Sequence, residues 1–205
     1  MQTSSQFWNK AAKKYAKMPI KDKEGYEATL EQTRSHLNKD DKVLEIGCGT
    51  GTTALKLSQD VNHITAIDYS IEMIEIAKGK EQQVENVDFI QSDLTTDQFA
   101  NNSFDAILAF NLIHLLQDPE QDIQRLSKLL KPGGIFISKT AFLGQGFSLF
   151  RPIIPIMRLL GLAPYVKVFK TSDLEQMFKN QGFKIIDTKL FAKSPPVKYM
   201  AARKA

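Results

Sequence analysis

Three glycines at alternating positions, Gly47, Gly49 and Gly51, separate an apolar run from a helical pattern. Such a spacing permits a sharp turn, lets a ligand lie against the backbone and allows close packing of helix on strand. Two carboxylates, Asp68 and Asp93, end the next two apolar runs. The first is suited to hold two ribose hydroxyls, and the second to accept a hydrogen bond from an adenine amino group. These residues predict a nucleoside-binding site.

The residues around the glycines restrict the charge of the ligand. Glu45 precedes the loop, so the ligand would lie among carboxylates, which repel a pyrophosphate and favour a cationic nucleoside. The dinucleotide fingerprint G-x-G-x-x-G is not met because residue 52 is threonine, and no lysine follows Gly51 as a phosphate loop requires. A purely structural turn is the alternative interpretation of the glycines.

A sheet with alternating strands and helices would position these residues. Five strands are predicted from the apolar runs at residues 42–46, 63–68, 86–93, 103–111 and 135–142. Helical patterns separate them, which predicts a parallel sheet covered on both faces. Residues 182–193 and 197–205 flank a Ser-Pro-Pro turn and predict an antiparallel strand pair. We therefore expect an α/β three-layer sandwich with a mostly parallel, seven-stranded sheet and its ligand at the carboxyl ends of the strands.

The composition is that of one soluble globular domain. Its expected parts are a helical cap (1–41), a binding core (42–140), an apolar insertion (141–170) and a C-terminal helix with the strand pair (171–205). The single cysteine excludes an internal disulfide and a cysteine metal cluster, and no metal is predicted. The N-terminus has no signal-peptide pattern and no apolar stretch reaches 18 residues, so the cytoplasm is the expected compartment.

The charges are distributed unevenly along the chain. Residues 1–127 carry 13 basic and 20 acidic side chains, whereas residues 128–205 carry 14 and 3. A basic C-terminal third can face a membrane, a nucleic acid or an acidic substrate, or it can simply be a solvated surface.

Five motifs in this order resemble those of the class I S-adenosylmethionine (SAM)-dependent methyltransferases. They are VLEIGCGTG, AIDYSIEMIEIAK, FIQSDL, FDAILAFNLIHLL and LLKPGGIFI. The resemblance is close over residues 42–140 and implies a Rossmann-like fold, SAM as the cofactor and methyl transfer as the activity. The N-terminal helices also look like the cap of small bacterial members whose substrates are often unassigned.

The resemblance also implies which residues hold the cofactor. They are Glu45, Gly47, Cys48 and Gly49 at the methionine part, Gly51 in the same loop, Asp68 at the ribose, Tyr69, Met73, Asp93 and Leu94 at the adenine, Phe110 and Asn111 beyond the fourth strand, and the cap residue Tyr15. Plainer interpretations exist for several. Met73 fits a core position, Asp93 fits a helix cap, and Cys48 fits as a small side chain without a nucleophilic role.

Methyl transfer from a sulfonium mainly requires that the protein align an acceptor lone pair and exclude water. A general base is needed only if the acceptor must lose a proton, and His114 in the segment NLIH is the candidate. A structural histidine is the alternative. The segment NLIH is not the [DN]PPY of enzymes that methylate the exocyclic amines of bases or glutamine, and there is no second cysteine for covalent attack on a pyrimidine ring, which argues against nucleic acid as the partner.

The insertion after the fifth strand suggests the class of acceptor. Between residues 141 and 163 its only charges are Arg151 and Arg158, and Pro152, Pro155 and Gly161 interrupt it too often for a membrane span. It is either a packed lid, or a lipophilic acceptor pocket or interfacial segment in peripheral contact with an anionic membrane.

We therefore expect a methyltransferase for a small apolar acceptor such as a quinone, a lipid or a secondary metabolite. The alternative is a catalytically silent SAM-binding sensor or interaction module. A nicotinamide oxidoreductase is disfavoured by the early third glycine, and the sequence leaves the oligomeric state open.

Overall fold

The computed structural model describes residues 4–80, 84–94, 98–142, 163–193 and 196–205. The α-helices of these residues are α1 (Ser4–Ala16), α2 (Lys23–Arg34), α3 (Thr52–Leu57), α4 (Ile71–Lys78), α5 (Pro119–Leu129) and α6 (Thr171–Asn180). The strands are β1 (Lys42–Ile46), β2 (His63–Asp68), β3 (Val87–Gln91), β4 (Phe104–Phe110), β5 (Leu130–Ala141), β6 (Phe183–Lys193) and β7 (Pro196–Lys204). Short 3-10 turns follow α3 and β4.

The seven strands form one sheet in the order β3-β2-β1-β4-β5-β7-β6. Neighbours from β3 to β5 pair in parallel, and β7 pairs antiparallel with both β5 and β6. This confirms the predicted Rossmann-like sheet and its antiparallel C-terminal pair. The strand order reverses at β1, with β2 on one side and β4 on the other, which places a crevice beside the loop that leaves β1.

The central strands are apolar because both of their faces are covered. In β1, Val43, Leu44 and Ile46 are fully buried. One face of the sheet packs against α2, α3 and α4, and the other against α5 and α6. The expected three layers are therefore present. A parallel sheet of this kind depends on its crossover helices for burial, so the apolar runs carry no alternation.

Two helices, α4 and α5, begin at residues whose side chains cap the first helical turn. Ser70 accepts a hydrogen bond from the Met73 backbone N–H at 3.3 Å and begins α4 beside β2. Asp118 accepts from Gln121 N–H, with Pro119 at the first helical position of α5. These caps fix where the chain turns back from the carboxyl edge of the sheet, and both lie next to the site described below.

The Lys-Pro-Gly-Gly segment at residues 131–134 lies inside β5. The predicted strand starts at Ile135, but β5 begins at Leu130, which pairs with Phe104. The register then shifts before Ile135 pairs with Ala106, and Gly133 adopts a φ of 76°. The segment is thus an irregularity inside the strand, because pairing resumes on both of its sides.

Most of the predicted insertion lies outside the described residues, since nothing is described between Phe142 and Ala163. Its two flanks are tied together by an edge-to-face contact of the Phe142 and Phe169 rings, whose centroids are 5.4 Å apart. Among the helices that are described, none combines the length and the apolar character needed to cross a bilayer.

Candidate active site

A cavity of about 470 Å³ opens where β1, β2, β3 and β4 end. Its walls are α1, the glycine loop and the segment that leads from β4 into α5. The predicted residues that line it are Tyr15, Gly47, Gly49, Asp68, Tyr69, Met73, Asp93, Leu94, Phe110 and Asn111. Residues far apart in the sequence thus converge at the crevice of the sheet.

The three glycines have a left-handed backbone but different surroundings. Their φ angles are +65° at Gly47, +54° at Gly49 and +75° at Gly51. A Cβ on Gly51 would lie 2.5 Å from the Phe89 ring and 2.9 Å from Ala77, so this glycine allows the close approach of α3, α4 and β3. A Cβ on Gly49 would meet no atom closer than 4.0 Å. Gly49 therefore leaves space for a ligand, whereas Gly51 serves packing.

The glycine loop is held rigidly from behind. Cys48 N–H donates to the Ile67 carbonyl on β2 at 3.0 Å. The Lys80 ammonium, just beyond α4, donates to the Thr50 carbonyl at 2.9 Å, the Thr50 hydroxyl at 3.0 Å and the Thr52 hydroxyl at 3.2 Å. Sequence reasoning missed Lys80, because no local pattern indicates that a helix end returns to an earlier loop.

Asp68 connects β2 to the glycine loop. Its Oδ2 accepts from Gly49 N–H at 2.9 Å and its Oδ1 from Ser70 N–H at 2.9 Å, and the residue is 7% exposed. Burial raises the pKa of the Asp68 carboxyl, and the backbone hydrogen bonds from Ser70, Gly49 and Tyr69 oppose this increase. A carboxylate has about four lone-pair positions, so Asp68 retains acceptor capacity toward the cavity.

Glu45 lies behind the loop and does not line the cavity. The residue is 3% exposed, and its Oε2 has no hydrogen-bond partner within the described residues. Burial raises the pKa of the Glu45 carboxyl to about 8, the Ala54 N–H opposes the increase and Asp68 adds to it. An unpaired acceptor at this depth is costly, which indicates a site that a donor or a cation would stabilise.

Helix α1 closes the cavity from the cap. Trp8 and Tyr15 line the cavity one above the other, with their ring centroids 6.0 Å apart in an edge-to-face contact. The Ser70 hydroxyl donates to Asn9 Oδ1 at 2.6 Å and ties α1 to the start of α4. The helical spacing of Trp8 and Tyr15 is visible in the sequence, but Trp8 was not predicted as a site residue.

The opposite wall follows β4. Asn111 has a φ of 55°, a left-handed backbone that is uncommon for a residue other than glycine, and its N–H donates to the Lys139 carbonyl at 2.7 Å. Leu112, Leu115 and Leu116 continue the wall as an apolar surface. The sequence prediction stopped at Asn111, because the motif alone does not show how far the chain follows the cavity.

Three other predicted residues do not line the cavity, namely Cys48, Gly51 and His114. Cys48 is buried, and burial raises the pKa of its thiol well above the usual range, as suits a packing role. His114 lies in the 3-10 turn after β4, and its carbonyl accepts from Lys167 N–H at 2.8 Å. Its Nδ1 is buried and has no partner in the described part of the chain.

Comparison with known proteins adds to this geometry. A family model described as a methyltransferase domain matches residues 44–138. A demethylmenaquinone methyltransferase of Clavibacter sepedonicus is 32% identical over 95 residues, which are 46% of this chain and 38% of that protein. A malonyl-[acyl-carrier protein] O-methyltransferase of a Paenibacillus species is 31% identical over 154 residues, or 71% and 56% of the two chains. The chain carries a class I methyltransferase domain.

The solved structures agree on the fold of this methyltransferase domain. A SAM-dependent methyltransferase of Aquifex aeolicus superposes with a TM-score of 0.73 at 17% identity and covers 100% of both chains. At this identity the likeness shows the fold alone. The chain spans less than two thirds of the length of the two relatives named above.

The residues of the methyltransferase domain fit SAM on two observations. The space in front of Gly49, beside the Asp68 carboxylate, would allow a nucleoside to lie directly against the backbone. Glu45 lies buried behind the loop, and a cation in the cavity would favour the charged form of its carboxyl group. Within the described residues, no group of three or more His, Cys, Asp or Glu side chains is arranged to bind a metal ion.

The raised pKa of Glu45 predicts a pH dependence of stability. Between pH 4.5 and pH 8, Glu45 keeps its proton in the folded protein but loses it in the unfolded chain, where its pKa is near 4.5. The contribution of Glu45 to the free energy of unfolding should therefore fall as the pH rises through this window, by roughly 2–4 kcal/mol. Glu45→Gln should remove most of this slope in urea unfolding from pH 5 to 8.5, whereas Glu75→Gln, an exposed change on α4, should keep it. An unchanged slope in Glu45→Gln would contradict the assignment.

Proposed function

We propose that this protein is a SAM-dependent methyltransferase that methylates a small apolar molecule such as a quinone, a lipid or a secondary metabolite. The main support for SAM as the cofactor is the cavity beside Gly49. The left-handed backbone of Gly49 leaves open space there, and its N–H donates to the buried Asp68 carboxylate. The observation that favours an apolar acceptor is the leucine wall beyond β4. The name of one relative, a demethylmenaquinone methyltransferase, points in the same direction.

We assign the residues of the cavity to parts of the cofactor as follows. Asp68 would accept from the ribose hydroxyls, and Asp93 with the Leu94 backbone would meet the adenine edge. Tyr69 and Met73 would pack on the adenine. Met73 is only 2% exposed, so it also belongs to the core, and we expect one face of its thioether to contact the cofactor. Gly47 and Gly49 would accommodate the methionine part, with Glu45 behind the loop that they form.

SAM, when bound, supplies an activated methyl group on a sulfonium, so little covalent chemistry is left for the protein. The chain has to align the acceptor and exclude water, and good alignment contributes roughly 7–11 kcal/mol to lowering the barrier. Trp8 and Tyr15 cover the cavity from α1, and the Asn111 backbone is fixed by β5. These rigid walls are suited to hold two reactants in line.

The flanks of the insertion lie next to the same wall. Lys167 N–H donates to the His114 carbonyl, and the Lys167 ammonium donates to the Gln117 carbonyl at 2.9 Å. The chain that returns from the insertion is therefore fixed to the segment that lines the cavity. Residues 143–162 of the insertion lie outside the described residues, and we propose from their apolar composition that the acceptor is lipophilic.

His114 remains the proposed base for acceptors that must lose a proton. Burial lowers the pKa of its imidazole to about 4, so the ring is neutral near pH 7 but is a weaker base than an exposed histidine. If it acts as the base, His114→Gln should lower kcat at least 100-fold while the Kd of SAM stays within twofold. Full turnover by this variant would exclude the base and leave a structural histidine.

A matched measurement separates the two roles of His114. The pKa of His114 is lower in the folded protein than its unfolded value of 6.5. The protein should therefore lose stability as the pH falls from 6.5 to 4, because the unfolded chain binds a proton that the buried ring does not. His114→Gln should flatten this part of the stability profile under either role. Only the rate effect therefore reports catalysis.

The activity is tested by S-adenosylhomocysteine formation. Purified protein is incubated with SAM and a panel of short-chain quinols, catechols, fatty acids and malonyl thioesters, and Asp68→Ala is the control. Acceptor-dependent S-adenosylhomocysteine from the wild type but not from the variant would support the proposal. Tight SAM binding without product from any acceptor class would instead favour the silent SAM-binding module.

A further inference from the structure

The N-terminal cap carries a strongly basic surface that the catalytic proposal does not use. Residues 1–21 contain five lysines and no acidic residue. Four of them, at positions 10, 13, 14 and 17, recur at the i, i+3, i+4 and i+7 spacing of one helix face. All five are exposed, and in the described part of the chain no carboxylate forms an ion pair with them.

Apolar side chains stand beside these lysines. Met18 is 52% exposed and Ile20 is 41% exposed in the connection between α1 and α2, where every residue from 13 to 24 is exposed. Lys17 N–H donates to the Lys14 carbonyl and Met18 N–H to the Tyr15 carbonyl, so the last helical turn holds Met18 next to the lysine row. We call the surface formed by Lys10, Lys13, Lys14, Lys17, Met18, Ile20 and Lys21 the basic edge.

The basic edge is a fixed feature of the fold. The other side of α1 is packed, with Ala12 fully buried and Asn9 bonded to the Ser70 hydroxyl. The exposed lysines are therefore not available to turn inward. A row of cations with protruding apolar side chains at one end is suited to a surface that offers both negative charge and a hydrocarbon interior.

We propose that the basic edge docks the protein on the surface of an anionic lipid bilayer, with Met18 and Ile20 entering the headgroup region. Each lysine near such a surface strengthens binding by about fivefold, so the row can act together. A nucleic acid would match the lysines but would give the two exposed apolar side chains no environment. This surface contains no residue of the insertion or of the basic C-terminal third.

Docking through the basic edge would bring the cavity close to lipid. Tyr15 lies on the same helix and lines the cavity, and an α-helix with its side chains is only about 10–12 Å thick. A lipophilic acceptor could then pass from the bilayer into the cavity over a short distance. This last consequence rests on the proposed function, whereas the docking itself does not.

The test is co-sedimentation of the full chain with vesicles of phosphatidylcholine alone or with 30% phosphatidylglycerol, at low and physiological salt. We expect binding only to the anionic vesicles and weakening by salt. Lys13→Glu/Lys17→Glu should lower the affinity about 25-fold or more, at about fivefold per lysine. Met18→Ser/Ile20→Ser should lower it about tenfold by removing apolar burial. All variants should keep the midpoint of thermal unfolding of the wild type within a few degrees, which shows that they fold.

The matched control is Lys184→Glu/Leu190→Ser, which changes an exposed lysine and a leucine that is 53% exposed on the edge strand β6. It should bind vesicles within twofold of the wild type. Equal loss in this control, no loss in the Lys13/Lys17 variant, or binding to a DNA duplex without binding to vesicles would each overturn the proposal. Loss of docking with methyl transfer to a soluble acceptor retained would separate this result from a failure of the proposed function.

Discussion

Gly51→Ala is expected to destabilise the protein by roughly 2–5 kcal/mol, a large fraction of the stability of a typical domain. A left-handed backbone costs an alanine about 1–2 kcal/mol. The added methyl group would also lie 2.5 Å from the Phe89 ring and 2.9 Å from Ala77, and overpacking of this kind costs about 1–3 kcal/mol more. Urea unfolding of the purified variant measures the loss.

Two other glycines provide the controls for this prediction. Gly133 has the same left-handed backbone, with a φ of 76°, and a Cβ there would meet nothing within 4 Å. Gly133→Ala should therefore cost only about 1–2 kcal/mol. Gly49→Ala should cost a similar amount but, unlike Gly133→Ala, should weaken SAM binding at least 100-fold because its methyl group would enter the cavity. Equal stability of the Gly51 and Gly133 variants would contradict the packing role of Gly51.

Asp68→Ala is expected to raise the Kd of SAM by about 100-fold and to destabilise the fold by about 2–3 kcal/mol. The change removes the acceptors of the Gly49 and Ser70 N–H groups, and an unpaired buried donor costs about 1–3 kcal/mol. It also removes the proposed acceptor of the ribose hydroxyls, where each hydrogen bond to a charged group contributes about 1.5–3 kcal/mol.

Titration calorimetry with SAM and S-adenosylhomocysteine measures the first effect, and urea unfolding the second. Asp88→Ala is the matched control, since Asp88 is an exposed residue of the neighbouring strand whose partner is His63. It should leave both quantities nearly unchanged. A Kd for Asp68→Ala within threefold of the wild type would show that this carboxylate does not hold the ribose.

The fold followed from local patterns wherever burial on both faces required an apolar strand. The bounds of β1 and β2 were predicted to the residue, because Gly47 directly follows the first apolar run and Asp68 ends the second. The start of β5 was wrong by five residues, since the pairing of Leu130 with Phe104 is a long-range contact without a local signal. A Pro-Gly-Gly segment indicates a turn unless a neighbouring strand pairs on both of its sides.

The candidate site was predictable only in part. The glycine loop and the carboxylates at the ends of the strands were predicted to meet at one edge of the sheet, because the carboxyl ends of parallel strands lie together. Trp8, Lys80 and the leucine wall depend on how α1, the end of α4 and the segment after β4 return to that edge. Such returns are set by tertiary packing, so residue type and spacing do not reveal them.

The central claim is that SAM occupies the cavity beside Gly49. Thermal unfolding with excess SAM, S-adenosylhomocysteine or NAD tests it most directly. A ligand at 100 times its Kd should stabilise the protein by about 2.7 kcal/mol, and we expect this shift with SAM and S-adenosylhomocysteine and none with NAD. A shift with NAD alone, or no shift with either sulfur-containing ligand, would contradict the account.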